Sequence, residues 1–555
     1  MNILIITWLF PPSNGGVESY TYNLAKNLSK EHKITILTCL GHYPTEKKEK
    51  FKIYRMKEMY PYGRKKEDYG KIYKKVLEIL KKEDIDLVHS HNLVCLETSF
   101  TKAIVNAVKS KDLPLVDHCH DARFKYLNKE LKYEKFDRII AVSKFVKKRL
   151  INLGFNKNIL EVIYNSSDSK VFNSGKYSSL QAKKFFRIPL NKKVIIFPSR
   201  AIRTTTGEFG EQKNFITLLN STKLIKKDFG DDFVVIFPVK VGMKRKNDAI
   251  KKTLYSLREK LKKDGLIENV IPITKKVGYE NMPLLYKTAN IMCTPSTEEA
   301  FGLVFLEASL MQLPVIGAKS GATKEIVING KTGFLVPPKN KKRLAKIIVR
   351  LLKSKEFRDK IGKAGRKYVK DKFDSNKMLT EVERTYKKVL ENRKVIYLVR
   401  HPETKNNREN RLTGWEHSQY TSEGNKQFAK ISNYFKDYQG QIFSSDLKRT
   451  SKLAVSIAKK NGIKPIITPL LRERNFKETL PHHTYETESS VAKRTKKFYD
   501  KYHPRKAIIF THGAILRHIA RHYLITNRNE FEEPRNVIFK IETNKNAAKL
   551  KKIRL

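Results

Sequence analysis

The sequence is poor in cysteine, in long apolar runs, in linker-like segments and in acidic residues, and each shortage excludes something. Its four cysteines, Cys39, Cys95, Cys119 and Cys293, lie far apart in 555 residues and show no metal-ligand spacing. Neither a disulfide framework nor a zinc site is suggested, and a reducing, cytoplasmic compartment fits best. No uncharged apolar run reaches the ~18 residues of a membrane span. The opening Met-Asn-Ile-Leu-Ile-Ile-Thr reads as a strand with no basic segment before it, so neither a transmembrane anchor nor a secretion signal is expected. There is no internal repeat, and no low-complexity tract beyond a bias toward lysine.

Acidic residues are outnumbered by basic ones, 56 to 114, for a formal net charge of +58. The excess is spread along the chain: 35 basic against 15 acidic residues from position 393 onward, and 79 against 41 before it. A nucleic-acid-binding protein would need a localised patch, and no tail or segment supplies one. The first reading is therefore solvated, lysine-rich faces. Peripheral contact with an anionic membrane, on its inner face, comes next, and nucleic acid last.

What is present is alternation. The length suggests three or four domains, and 40% hydrophobic residues are enough for their cores. Over the first 170 residues short apolar strands, at 2–7 and near 34–38, 86–90, 114–118 and 138–142, alternate with amphipathic helices, as a parallel sheet covered on both faces requires. The first helix carries Val17, Tyr20, Leu24 and Leu28 on one face. A second alternating unit runs through Val194–Pro198, Phe233–Val239, Val270–Thr274, Ile291–Thr294 and Pro314–Gly317. Two such units in tandem predict two Rossmann-like domains facing across a cleft. Lysine- and arginine-rich helices follow, the last from about Ser375 to Asn392. A third strand–helix unit then starts at Val395 with no Gly/Ser/Pro linker, which predicts a semi-rigid junction. The expected division is 1–175, 176–392 and 393–555, all of α/β class.

Several motifs fall in order along residues 1–390. Gly15-Gly16-Val17-Glu18 follows the first strand, where missing side chains let backbone approach a ligand at a helix N-terminus. Asp86-Leu-Val-His-Ser-His91, Pro114-Leu-Val-Asp-His-Cys-His120-Asp121 and Asp137-Arg-Ile-Ile-Ala-Val-Ser143 close three further strands. Phe197-Pro-Ser-Arg200 and Gln212-Lys213-Asn214 follow the first strand of the second unit. Glu299-Ala-Phe-Gly-Leu-Val-Phe-Leu-Glu307 sets two carboxylates around an apolar segment that a solvated acidic pair would not need.

This run resembles the retaining glycosyltransferases of family 4, with two Rossmann-like domains in the GT-B arrangement. The resemblance implies a nucleotide diphosphate sugar as co-substrate, with Gly16 in the glycine-rich loop and His120 at the transferred sugar. Arg200 and Lys213 would clasp the diphosphate, where positive charge must meet the anion that leaves. Glu299 would lie at the transferred sugar and Glu307 would accept hydrogen bonds from ribose hydroxyls, with Gly302 allowing the tight turn between them. The segment 201–211 is longer than usual, and Tyr164-Asn-Ser-Ser-Asp168 departs from the family's Asn-Gly-Val-Asp turn. No metal is implied, because Asp84-Ile-Asp86 lies on the approach to a strand rather than in a cleft loop.

Near residue 400 an apolar strand delivers Arg400-His401 to a loop. Thr404, Asn407, Arg411-Leu-Thr-Gly-Trp415, Tyr420-Thr-Ser-Glu-Gly424, Ser444-Ser-Asp-Leu-Lys-Arg449-Thr, Leu471-Arg-Glu473 and Phe510-Thr-His512-Gly513 follow. From Val395 to about Ile525 the chain resembles the histidine phosphatase superfamily, phosphoglycerate mutase branch, a three-layer α/β fold. The resemblance implies that a neutral His401 attacks phosphorus to give a phosphohistidine. Arg400, Arg449 and His512 would supply the fixed cations that the developing phosphoryl charge requires, with Thr404 and Asn407 at the phosphate. Glu473 would protonate the leaving oxygen and then activate water.

Two departures stand out: Pro402 replaces the usual Gly, and Arg474–His483 lacks the family's Gly-x-Trp-Glu-Gly continuation and much of its cap. An open site suits a phosphatase with a bulky substrate rather than a mutase. The fusion implies a phosphorylated small-molecule acceptor whose glycoside is then dephosphorylated. The alternative is a surface-glycan transferase with a lipid-linked acceptor and an independent or regulatory phosphatase.

Overall fold

The computed structural model describes all residues except 12, 14, 40–49, 64, 112, 122–127, 200, 203–212, 240–243, 276, 392–393, 476–485, 505, 524–536, 545–546 and 555. They fall into two compact units, Met1–Tyr386 and Lys387–Leu555, and the boundary lies in the final turns of the helix Ser375–Glu391.

The first unit holds two parallel sheets. In the first, seven strands run in the spatial order Lys52–Arg55, Lys33–Thr38, Asn2–Ile6, Leu87–His91, Leu115–Cys119, Arg138–Ala141, Leu160–Val162. Chain order reverses between Asn2–Ile6 and Leu87–His91. Parallel sheets of this kind bind ligands at such a reversal, beyond the carboxyl ends of the strands. In the second, six strands run Val270–Ile273, Phe233–Pro238, Lys193–Ile196, Ile291–Thr294, Val315–Ala318, Gly333–Val336, reversing between Lys193–Ile196 and Ile291–Thr294. The strands are near-continuous apolar runs because helices cover both faces, and Ile3, Leu4 and Ile5 are wholly buried. The short strands at 52–55, 160–162 and 333–336 escape the sequence pattern; the first is only half-buried, so it shows no apolar run.

The helix Gly16–Leu28 buries Tyr20, Leu24 and Leu28 as its periodicity requires, and each such leucine stabilises by ~1.5–3 kcal/mol. Val17, expected on that face, stays half-exposed, and Glu18 is buried in its place. The Glu18 carboxylate folds back over Gly15, where an added Cβ would come within 2.3 Å of it.

The second unit is built on a mixed sheet ordered Ile466–Ile467, Gln441–Ser444, Lys506–Thr511, Lys394–Arg400, Val537–Asn544, Ala547–Arg554, with the last two strands antiparallel. Ile396, Leu398, Phe443, Ile509 and Phe539 form its core on one face, under the helices Glu488–Tyr502 and Gly513–Tyr523.

Candidate active sites

In the first unit the two sheets present their reversal points to each other. Gly16 opens its helix with space for a Cβ, whose nearest neighbour would be Leu303 Cδ1 at 3.7 Å. The glycine loop of the first sheet therefore faces the segment between Glu299 and Glu307 in the second. Gly302 adopts φ +100, a left-handed conformation that costs other residues energy, and caps the helix Leu303–Leu310. Gly321, at φ +52, lies so close to Glu299 that a Cβ would sit 2.3 Å from the Glu299 carbonyl oxygen.

Glu299 is 5% exposed, and both its oxygens accept from Lys213 Nζ, at 2.8 and 3.0 Å. These two expected residues are thus brought together, across the reversal of the second sheet. Arg200 lies outside the described residues. Glu307 sits on the next helix, buried, with Oε2 accepting from the Tyr286 hydroxyl at 2.8 Å. Burial pushes its pKa up to about 7, against the pull of that hydrogen bond. Nothing near Tyr286 in the sequence signals this partner.

Contacts across the cleft are polar and specific. Ser143 Oγ donates to the Ala300 carbonyl at 2.6 Å, and the Glu325 carboxylate accepts from the backbone N–H groups of Lys144 and Phe145, each at 2.9 Å. A carboxylate from one Rossmann half therefore caps a helix of the other, where the helix dipole favours negative charge. Tyr164 O–H adds a third bond to Glu325 at 3.0 Å.

His120 follows the strand Leu115–Cys119. Its backbone N–H donates to Asn92 Oδ1 at 2.6 Å and its Nε2 meets His91 Nδ1 at 2.9 Å. Burial, with His89 nearby, lowers its pKa to about 3, so the ring is neutral. Tyr20 lies edge-on to it, ring centroids 4.9 Å apart.

In the second unit His401 and His512 extend from adjacent parallel strands, which pair Arg400 with Thr511. Their ring centroids are 5.3 Å apart. His401 Nδ1–H donates to the Pro402 carbonyl at 2.8 Å, which fixes the tautomer and leaves the Nε2 lone pair available. The proline that removes one N–H thus contributes its carbonyl to orienting the ring. Burial first, then the charges of Arg449 and Arg400, hold the His401 pKa well below the ordinary range, so the imidazole is neutral. Burial first, then the charge of Arg449, depresses His512 as well, so it is a neutral ring and not the fixed cation expected from the sequence, and neither of its buried ring nitrogens has a hydrogen-bond partner.

Arg449 is anchored by bonds to the carbonyls of Glu416 (2.7 Å) and Gly414 (2.6 Å), so its fork is pre-set by the segment 414–416. Glu473 accepts from the backbone N–H of Arg474 at 3.0 Å and of Ala514 at 3.3 Å, while burial raises its pKa. Trp415, which sequence motifs marked without giving it a role, donates its indole N–H to the Glu473 carbonyl at 2.7 Å. Thr404, wholly buried, donates to Asn407 Oδ1 at 3.0 Å. Residues 476–485, where the cap was expected to be reduced, lie outside the described residues.

Comparison with known proteins follows this division. Residues 14–170 match the family described as Glycosyltransferase Family 4, residues 183–368 that of Glycosyl transferases group 1, and residues 396–506 the Histidine phosphatase superfamily (branch 1). An uncharacterized glycosyltransferase of Methanocaldococcus jannaschii is 26% identical over 396 residues, covering 69% of this chain and 97% of its own length. The N-acetyl-alpha-D-glucosaminyl L-malate synthase of Bacillus anthracis is 23% identical over 326 residues, 57% of this chain and 78% of that one. An Anabaena protein crystallised with UDP and glucose shares the fold of the first unit, with TM-score 0.55 and 18% identity over 70% of this chain and all of that one. No helix among the described residues is long and apolar enough to cross a membrane. The chain is thus a glycosyltransferase of GT-B fold, built from family 4 and group 1 domains, that carries a C-terminal domain of the histidine phosphatase superfamily.

Proposed function

We propose that the protein is bifunctional, transferring a sugar with retention from a nucleotide diphosphate sugar to a phosphorylated acceptor and then removing the phosphate. Convergence of a buried, neutral His401 with His512, the anchored Arg449 and the pKa-raised Glu473 supports a phosphatase that still works. His401 Nε2 attacks phosphorus as the P–O bond to the glycoside breaks, and Glu473 gives its proton to the leaving oxygen. Glu473, now ionised, then takes a proton from water as that water cleaves the P–N bond, which restores neutral His401 and releases inorganic phosphate. Arg400, Arg449 and His512 hold the phosphoryl oxygens, with Thr404 and Asn407 beside them.

In the transferase cleft, Lys213 turns from Glu299 to the donor diphosphate and, with Arg200, holds the negative charge that grows there. Released from that pair, Glu299 faces the transferred sugar beside His120, and Glu307 takes the ribose through the oxygen that Tyr286 leaves open. Two cationic side chains do what a metal does in other transferases, so transfer itself needs no divalent cation. The name of the Bacillus anthracis relative, an N-acetyl-alpha-D-glucosaminyl L-malate synthase, supports a small anionic acceptor.

The test is a panel of nucleotide sugars and phosphorylated acceptors, with nucleoside diphosphate and free phosphate followed separately. Phosphate release that depends on prior diphosphate release carries the coupled reading. Diphosphate release alone would leave the phosphatase with a separate substrate.

A further inference from the structure

We infer that His89, His91 and His118 form a binding site for one late first-row transition-metal ion, zinc foremost. The site follows from register. The parallel strands Leu87–His91 and Leu115–Cys119 pair His89 with Val116 and His91 with His118. Side chains alternate faces along a strand, so His89, His91 and His118 share one face at the carboxyl end of the sheet. Their rings lie nearly parallel, with centroids 4.7 Å apart for His89 and His91 and 5.6 Å for each with His118. Each offers a ring nitrogen within 4.8 Å of the others, and all three side chains are at most 1% exposed.

The hydrogen bonds point the same way. His89 Nδ1 is engaged by the Tyr386 hydroxyl at 2.5 Å and His91 Nδ1 by His120 at 2.9 Å. The Nε2 atoms of His89 and His91 and both nitrogens of His118 are buried with no hydrogen-bond partner. Histidines that ligate metals are arranged in this way, one nitrogen held by a neighbour and the other presented. Without an ion, three fully buried imidazoles leave polar atoms unpaired, which buried groups rarely do. An ion replaces that loss with bonds.

Neutral imidazole selects zinc or copper over magnesium, calcium or manganese, which prefer oxygen. Zinc–nitrogen bonds of ~2.0–2.1 Å set tetrahedral ligands ~3.4 Å apart, so the three stacked rings must both draw in and rotate about their side-chain torsions for their in-plane lone pairs to converge on one ion. The ion would pin two strand ends beside His120, and no part in sugar transfer is assigned to it.

The full-length protein, expressed in zinc-supplemented medium and desalted, should retain about one zinc per chain by elemental analysis. Cobalt(II) introduced during refolding should give the visible absorption of a tetrahedral nitrogen site. His89→Phe and His118→Phe should each cut metal content at least tenfold, while the exposed His417→Ala keeps it; circular dichroism and gel filtration check that the variants fold. Stoichiometric copper in place of zinc also supports the site. Wild type that holds no zinc, cobalt or copper after expression or refolding with the metal overturns it. So does metal retained undiminished in a folded His118→Phe, or binding of manganese alone.

Discussion

The two candidate active sites occupy equivalent places, beyond the carboxyl ends of parallel strands, yet they handle charge in different ways. In the transferase cleft the charges are paired: Lys213 holds Glu299, and Glu325 is satisfied by two backbone N–H groups and a tyrosine. In the pocket around His401 the charged groups are held by backbone instead, Arg449 by two carbonyls and Glu473 by two N–H groups. His512 has no hydrogen-bond partner at either ring nitrogen, Arg449 Nε is buried without one, and burial drives the histidines and Glu473 away from their ordinary pKa values. A cleft between two Rossmann halves can exchange internal partners for ligand as it closes. A pocket on one rigid sheet has nothing to exchange, so it must hold its groups in their reactive protonation states beforehand.

The largest expected effect tests that pre-set state. His401→Ala should lower phosphatase activity by on the order of 10⁴-fold or more and abolish a phosphohistidine seen after acid-free quenching of turnover. Sugar transfer should continue, and the phosphorylated glycoside should accumulate. Identical unphosphorylated product from wild type and variant would separate the two reactions.

Breaking the paired cleft should cost less. Glu299→Ala and Lys213→Ala should each reduce transfer by roughly 10²–10³-fold, with hydrolysis of a generic phosphomonoester changed only a few-fold. Lys213→Ala also leaves Glu299 buried without its counter-charge, so thermal unfolding should occur at lower temperature than in Glu299→Ala. Loss of phosphate release in these folded variants would show that the sites are not independent.

The protonation states predict the pH profile. His401, with a depressed pKa, remains neutral below the ordinary histidine range, so no acid limb should appear near pH 6.5. Glu473, with a raised pKa, is the protonated acid only below it, so the phosphorylation rate should fall as pH rises through that value. Glu473→Gln should lower the rate by ~10²-fold, remove that alkaline limb and prolong the phosphohistidine adduct. A limb that survives in the variant would assign the proton elsewhere. The smallest effect is expected from cations: under the proposal that Lys213 and Arg200 meet the diphosphate charge, omitting magnesium and manganese should change transfer less than about twofold.

Much of this was legible because the chemistry sits at strand ends. Arg400-His401, Phe510-Thr-His512 and Glu299-x7-Glu307 each announce themselves as an apolar strand or helix beside charged residues, and the structure brings His401 to His512 and Lys213 to Glu299. The histidines of Asp86–His91 and Pro114–His120 were legible as strand-end motifs but not as a cluster. Two strands must be adjacent and in register for His91 to face His118, and nothing local to either segment states that.

By itself, then, the sequence determined the alternation of strands and helices, the α/β class and the residues at the ends of the strands. Those depend on periodicity and on local chemistry that neighbouring residues carry. Only the tertiary structure decided the partners: Tyr286 on Glu307, Tyr386 on His89, Glu325 across the cleft on the helix that starts at Lys144, and the Pro402 carbonyl on His401. His89 and Tyr386 are 297 positions apart, and Lys144 and Glu325 are 181 apart. Contacts at such separations are set by which surfaces the folded sheets and helices bury together, and burial is also what shifts Glu307, Glu473 and His401 from their ordinary pKa values.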